Sequence, residues 1–473
     1  MKQFLTVILL LFMVSCSLNV FSPSILVVSS KDHVTGRLCY ISVKITKGGF
    51  PLSQKTVKFQ KLVGSYWEDL VDEISGQSTV RTNSNGMASI GVVFGEPGTY
   101  TIRAVLLPEN IAKVFNVHVD PAKWMFLMWF AADNNLYEDA VDDLKEMEGI
   151  QGDFSLRIIF DTPFNTELCY LDNRNQLVCK VIEEINSGDG EILKMELMKT
   201  LSVSSEYHGL VIWNHGNAWI YDSLYESVIS LDDTSNDALT TRELKKAIKE
   251  ALEASSVGKL DILGMDACLM GSLEVLYELK DVADYIVASA SSEPTKGWNY
   301  RFLEMASYLD PYNLCEKIVD YYFEDLPDEK EITLAVFNTS KIDHFIEKFN
   351  ILSSRILELF DEDPNFKKQF ESYQENLRTY PVSPEGKERV LVDFGELLEH
   401  LKNESELSPY ILQIPLEELI PYSKVSEDLE GLSGMSVFFP ERDFYMSFIE
   451  DYSTLSFTED TYWDDVLSSL YGE

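Results

Sequence analysis

Between residues 25 and 119 apolar and polar positions alternate in short runs, as in Ile41-Ser42-Val43-Lys44-Ile45 and Thr99-Tyr100-Thr101-Ile102-Arg103-Ala104-Val105. A period of two puts every second side chain on one face, so these runs predict half-buried antiparallel strands. Asn85-Gly86 and Pro97-Gly98 supply the turns that fold consecutive strands back, and Tyr100 is placed to cap a sandwich core. Residues 25–120 are therefore expected to form an all-β module.

After Asp120-Pro121 the pattern changes. Residues 124–130 are unbroken apolar, as a strand covered on both faces requires. Asp133-Asn134-Asn135 then offers cap chemistry before Leu136, Ala140, Leu144 and Met147 at helical spacing. The strand-to-loop unit recurs where Leu210-Val211-Ile212-Trp213 runs into Asn214-His215-Gly216. It recurs again where residues 260–265 run into Asp266-Ala267-Cys268, ahead of a helix expected from about Leu269. Thr240 with Glu243 forms a capping box before Leu244, Ala247, Ile248 and Ala251. Further strands are expected at 285–289, 333–337, 390–393 and 436–439, while 355–385 and 401–430 are polar and helix-prone. Across 121–473 this alternation predicts an α/β domain, a mostly parallel sheet flanked by helices.

The first residues add a destination. Lys2 precedes an apolar run at 4–14 that is too short for a comfortable membrane span and reads as an export signal. Its end, Met13-Val14-Ser15-Cys16, resembles a bacterial lipobox, which implies a signal peptide of residues 1–16 and lipidation of Cys16. The competing reading is a soluble secreted protein released nearby. Charge removes one partner class: Lys plus Arg number 39 against 78 Asp plus Glu, a formal net charge of -39. Such a surface repels phosphate backbones, so no nucleic acid partner is expected. Cys39, Cys169, Cys179, Cys268 and Cys315 are too sparse for a disulfide scaffold. Cys169 and Cys179 nevertheless flank the turn-rich Asp172-Asn173-Arg174-Asn175, where a hairpin sets them opposite each other, either oxidised or free.

In open α/β sheets, side chains just beyond the carboxyl ends of buried strands converge on one crevice. His215 and Cys268 both sit there. A free thiol has a pKa of about 8.5, so a nucleophilic cysteine needs a base or a positive neighbour. His208 lies at the other end of the His215 strand, His33 and His118 belong to the β module, and His344 and His400 fall on charged helices. His215 is thus the expected general base and Cys268 the nucleophile, in the histidine-then-cysteine order of caspases, where the two lie about 50 residues apart. Gly216 leaves its backbone N–H unobstructed to join that of Cys268 as an oxyanion hole. No phosphate loop, H-E-x-x-H, C-x-x-C or G-x-S-x-G occurs, so competing enzyme classes lack their parts.

Trp124-Met125-Phe126-Leu127-Met128 with Ala132-Asp133-Asn134-Asn135-Leu136, then Trp213-Asn214-His215-Gly216, then Asp261-Ile262-Leu263-Gly264-Met265-Asp266-Ala267-Cys268-Leu269-Met270-Gly271 together resemble the clostripain-like cysteine peptidases. Ser289-Ala290-Ser291-Ser292-Glu293-Pro294, Gly297-Trp298-Asn299-Tyr300 and Gly431-Leu432-Ser433-Gly434 extend the match over about 124–440. The resemblance implies a caspase-like fold, a Cys/His dyad, a thioester intermediate and peptide or protein substrates. On it, Asp266 corresponds to the acidic floor of the primary specificity pocket, implying Arg or Lys at P1, with Ser289 opening a substrate-binding loop. The bland alternative is that Asp266 caps the following helix. The loop after Ser289 offers Glu293 and Lys296 where acidic pockets often hold a second carboxylate.

Leu231-Asp232-Asp233-Thr234-Ser235-Asn236-Asp237 holds oxygen ligands suited to calcium, which some relatives use, but lacks the glycine and glutamate of an EF-hand. An Asx-turn loop ahead of Thr240 explains the same residues, so no metal ligand is assigned and no cofactor is required. Trp213, Trp219 and Trp298 line either a substrate cleft or the core. In the β module, Thr82-Asn83-Ser84-Asn85-Gly86-Met87-Ala88 followed by Gly95-Glu96-Pro97-Gly98-Thr99-Tyr100 resembles the end of a bacterial immunoglobulin-like domain of the invasin type, implying a spacer or docking module. The expected protein is a lipid-anchored endopeptidase of the cell envelope, facing periplasm or exterior and touching the membrane through its lipid. The alternative is a surface binding or adhesion lipoprotein whose peptidase-like domain is inactive.

Overall fold

The computed structural model describes residues 22–29, 33–220, 229–382 and 389–472. The export segment and Cys16 lie outside the described residues. The chain divides into two compact units, one of Met1–Ala122 with Tyr170–Lys180 and Val203–Ser205, the other of Lys123–Cys169, Val181–Ser202 and Glu206–Glu473.

In the first unit, Leu38–Lys47 pairs antiparallel with Ser24–Val27, Phe50–Pro51 and Met87–Val93. A second antiparallel sheet centres on Thr56–Val63, with Tyr66–Asp69, Thr79–Arg81 and Gly98–Leu107 as partners and Ile111–Val119 beyond. The alternation read in the sequence is what closes the two sheets over one core, since Ile41, Val43 and Ile45 meet Val57, Phe59, Ile90 and Ile102 there. The result is a β sandwich of the immunoglobulin-like class. Tyr100 packs its ring 4.4 Å from Phe94 and donates its hydroxyl to the Glu96 carbonyl. At Gly86 the backbone is left-handed, and a Cβ would stand 2.5 Å from the Ile45 carbonyl oxygen, so the turn requires glycine.

The second unit is built on a mixed sheet. Across it run Asn165–Leu171, Phe154–Thr162, Ala122–Ala131, Ser205–Trp213, Leu260–Asp266, Ala283–Ala288, Thr333–Asn338 and Tyr422–Val425, in that order. Ser205–Trp213, Leu260–Asp266 and Ala283–Ala288 are parallel, and Thr333–Asn338 and Tyr422–Val425 then close the edge antiparallel. Helices Gly190–Leu201 and Thr241–Glu253 pack together beside it, the latter opened by the expected Thr240/Glu243 capping box. Cys169 and Cys179 are disulfide-bonded, while Cys39 and Cys315 are buried free thiols. No helix among the described residues is long and apolar enough to cross a membrane.

Several elements differ from the sequence reading, each for a local reason. The helix after Cys268 spans Leu273–Leu279 and takes Ser272 as its cap, the Ser272 side chain accepting from the Val275 N–H. Asp266 is therefore not a helix cap. Tyr137–Glu146 starts without a side-chain cap, because Asn134 accepts from the Leu136 N–H in an Asx turn. Arg389–Asp393 and Ser436–Phe438 leave the main sheet to form their own with Thr379–Pro381. The main sheet gains Tyr422–Val425 from a stretch that looked helical.

Candidate active site

Trp213 and Asp266 are register partners at the carboxyl ends of adjacent parallel strands, so the residues after each come out side by side. Asn214 fixes the first turn: its backbone N–H donates to the Asp266 carbonyl at 3.2 Å and its side-chain amide to the carbonyls of Ala131 and Leu231. Gly216 then lies so close to the Cys268 backbone that a Cβ would be 2.3 Å from the Cys268 carbonyl oxygen. Only a glycine permits this approach. Gly216 also bridges to Ile229.

His215 is half-buried, with Nε2 2.8 Å from Asn135 Oδ1. A carboxamide oxygen accepts, which places the ring proton on Nε2 and leaves the Nδ1 lone pair free to act as a base. Burial lowers the His215 pKa below the ordinary imidazole value against a weaker opposing pull from Asp233, so the neutral form prevails at pH 7. The sequence offered Asn135 only as cap chemistry. Its orienting role needed the loop after the first strand to be folded beside the histidine.

Cys268 sits on a loop held from three sides. Leu269 N–H donates to the Ser291 carbonyl at 3.0 Å, Gly271 N–H to Ser289 at 2.7 Å, and Ser436 N–H to Gly271 at 3.0 Å. These bonds keep Leu269 at φ 65°, a left-handed conformation costing a branched residue about 1–2 kcal/mol. The thiol accepts from the Glu293 N–H at 3.1 Å and faces the Glu293 carbonyl at 3.8 Å. Burial raises its pKa above the usual thiol range. Thiol and imidazole are thus both neutral here, each engaged by another partner.

Beneath Cys268 lies a group of acids. Asp266 is buried, and its Oδ2 accepts from the Trp298 N–H at 3.1 Å and the Tyr300 hydroxyl at 2.8 Å. Both Glu293 carboxyl oxygens are buried beside it. Burial, then the charge of Asp266, pushes Glu293 well above the carboxylate range. Lys296, the nearby cation of the sequence reading, instead pairs with Asp325 at 2.5 Å.

Ser289 is fully buried, hydrogen-bonded to Ser291 and Thr333, so it braces the loop from below. The tryptophans are core: Trp213 stacks on Phe130, Trp219 packs against Phe438 and Tyr452, and Trp298 fills the space over Gly264. In the 231–237 segment, Asp232 accepts from the N–H groups of Ser187 and Ser235, and Asp237 from the Asn186 amide and Ala238 N–H. These N–H donors engage Asp232 and Asp237 as the Asx-turn reading expects, and no step below runs through a metal.

The sequence profile described as the Clostripain family matches residues 128–469. Among solved structures, the chain is similar to an inactive zymogen C11 protease from Parabacteroides distasonis at 20% identity and TM-score 0.57, covering 72% of this chain and 98% of that one. It is also similar to a secreted C11 cysteine protease from Bacteroides thetaiotaomicron in complex with an irreversible peptide inhibitor, at 20% identity and TM-score 0.53, covering 70% and 98%. At such identities the likeness is one of fold. A search of curated proteins finds no match.

Proposed function

Because the chain belongs to the clostripain family of cysteine peptidases, we propose that it is an exported, lipid-anchored endopeptidase using Cys268 and His215 and favouring Arg or Lys at P1. The observation that carries the reading is the juxtaposition at two adjacent strand ends: an Asn135-oriented imidazole, a glycine pressed on the nucleophile's backbone, and buried acids below. Acylation of Cys16 would hold it to the envelope, facing periplasm or exterior.

His215 takes the thiol proton as sulfur attacks the scissile carbonyl, forming the C–S bond. The oxygen of the tetrahedral intermediate lies toward the N–H groups of Cys268 and Gly216, each such donor contributing roughly 3 kcal/mol. The imidazolium returns the proton to the leaving amine as the C–N bond breaks, leaving a thioester. Water, deprotonated by the same imidazole, cleaves the C–S bond and restores the thiol. The Glu293 peptide that now engages the thiol must yield to the substrate carbonyl, and the cationic P1 side chain enters toward Asp266 and Glu293, where a buried carboxylate reads a guanidinium well. Two relatives support this reading, one secreted and bound to a peptide inhibitor, the other a zymogen.

The test is hydrolysis of peptides differing only at P1, with and without calcium, by the wild type and Cys268→Ala. Cleavage after Arg or Lys should fall by at least ~10⁴-fold in the variant. Cleavage surviving in Cys268→Ala removes the nucleophile assignment. No cleavage of any peptide turns the account toward a binding lipoprotein.

A further inference from the structure

We infer that Asp143 is a third carboxyl of the specificity pocket, a positioning residue that holds a proton against Asp266 until a cationic P1 side chain takes its place. This rests on the P1 reading above and goes beyond it by naming the group whose proton is displaced when the cation enters.

Asp143 lies on Tyr137–Glu146, buried on the same face as Ala140, and its Oδ2 accepts from the Trp213 indole N–H at 2.7 Å. Gly297 marks where it meets Asp266. From that bare backbone, at φ +61°, a Cβ would lie 3.0 Å from Asp143 Oδ2 and 3.1 and 3.2 Å from the two oxygens of Asp266. Two carboxylates from different elements therefore crowd one glycine. Glu293 comes at Asp266 from the nucleophile side.

Nothing positive balances them, since among the described residues no Lys, Arg or His pairs with Asp143, Asp266 or Glu293. The titratable groups facing Asp143 are Asp266 from the strand, Glu146 and Asp139 from its own helix, and Tyr300 from the short helix after Gly297. The nearest cations, Lys296 and Arg301, act on Glu146.

Carboxylates this close and this buried cannot all ionise. Burial and then the Asp266 charge raise Asp143 to about 9, while Asp266, stabilised by Trp298 and Tyr300, rises to about 6. Near neutral pH the charge sits on Asp266 and a proton on Asp143. A guanidinium or ammonium entering beside Asp266 adds one positive charge to the group, and one proton leaves Asp143 for solvent. Asp143, once ionised, accepts the Trp213 N–H more strongly, at the strand end that carries His215.

Affinity for a cationic P1 group should then rise with pH across roughly 6.5–8.5, by up to tenfold per pH unit, because release of one proton favours binding below the pKa of the free group. An uncharged P1 group should show no such rise.

The test is titration calorimetry of the full chain carrying Cys268→Ala, at pH 7.5, in two buffers of different ionisation enthalpy. The probes are an arginyl peptide and its norleucyl counterpart. Release of close to one proton per arginyl peptide, and none with norleucyl, is expected. Asp143→Asn, which keeps an acceptor for Trp213, should abolish the release and flatten the pH dependence of KM while largely sparing kcat. If that variant does not fold, Trp213→Phe removes the donor that lowers the Asp143 pKa and should carry the KM profile upward in pH. Binding without proton release, an unchanged release in Asp143→Asn, or an unmoved profile in Trp213→Phe overturns the proposal. Arginyl and norleucyl peptides binding equally would instead remove the P1 reading beneath it.

Discussion

The β sandwich and the peptidase unit bury different chemistry. Between residues 24 and 119 the sandwich closes over aliphatic and aromatic side chains, and none of its described carboxylates is buried. The peptidase unit buries many, although each costs several kcal/mol unless paired, hydrogen-bonded or protonated. Their partners separate them into two kinds. Asp393 is surrounded by donors, the N–H groups of Glu396 and Ser433 and the Tyr380 hydroxyl. Glu278 similarly collects the N–H of Phe457 and the Lys245 ammonium. These acids tie segments together. At Asp143, Asp266 and Glu293 acid meets acid with no cation supplied, and that arrangement lies under the only cysteine the chain leaves half-exposed among its described free thiols. Donors on several sides mark Asp393 and Glu278 as structural, whereas Asp143, Asp266 and Glu293 share one buried space under Cys268 with no cation of their own, which suits a positive ligand.

Substitutions can break this contrast. In the sandwich, Phe59→Ala should destabilise the fold by about 3–5 kcal/mol, measured by urea unfolding, and leave kcat/KM for peptide cleavage unchanged. A change in kcat/KM would mean that the sandwich core contributes to the chemistry. In the peptidase unit, Glu274 offers a smaller and pH-dependent effect. It accepts from the Phe438 N–H at 2.8 Å, and burial raises its pKa to about 7 from 4.5. A raised carboxyl pKa means the folded state holds the proton more tightly. The stability this adds is present in full below about pH 4.5 and is lost as pH rises through about 7. Glu274→Gln should therefore be about 1–3 kcal/mol more stable than the wild type at pH 8 and show little difference at pH 5. Equal differences at both values would place Glu274 with the donor-satisfied acids.

Much of this was legible in the sequence because period and turn chemistry are local. The Thr240/Glu243 box, the sandwich alternation and the two strand ends bearing His215 and Cys268 all stand where the pattern put them. Asp143 was hidden because it interrupts the apolar stripe of Ala140, Leu144 and Met147 as a charged residue, which on any helix reads as solvent-facing. Asn135 was hidden because its partner comes from another strand end. The Leu273 helix start is not legible in the sequence because Leu269 takes a left-handed turn that long-range bonds to Ser289 and Ser291 sustain.

The most direct test of the acidic-pocket account is the ratio of kcat/KM for a P1 arginyl peptide to that for its norleucyl counterpart, in the wild type and in Asp266→Asn. If Asp266 receives the cation, the ratio should fall by about 100-fold or more in the variant, through loss of arginyl cleavage alone. A ratio that survives the substitution, with both substrates affected equally, would make Asp266 a brace for the Trp298–Tyr300 loop and contradict the account.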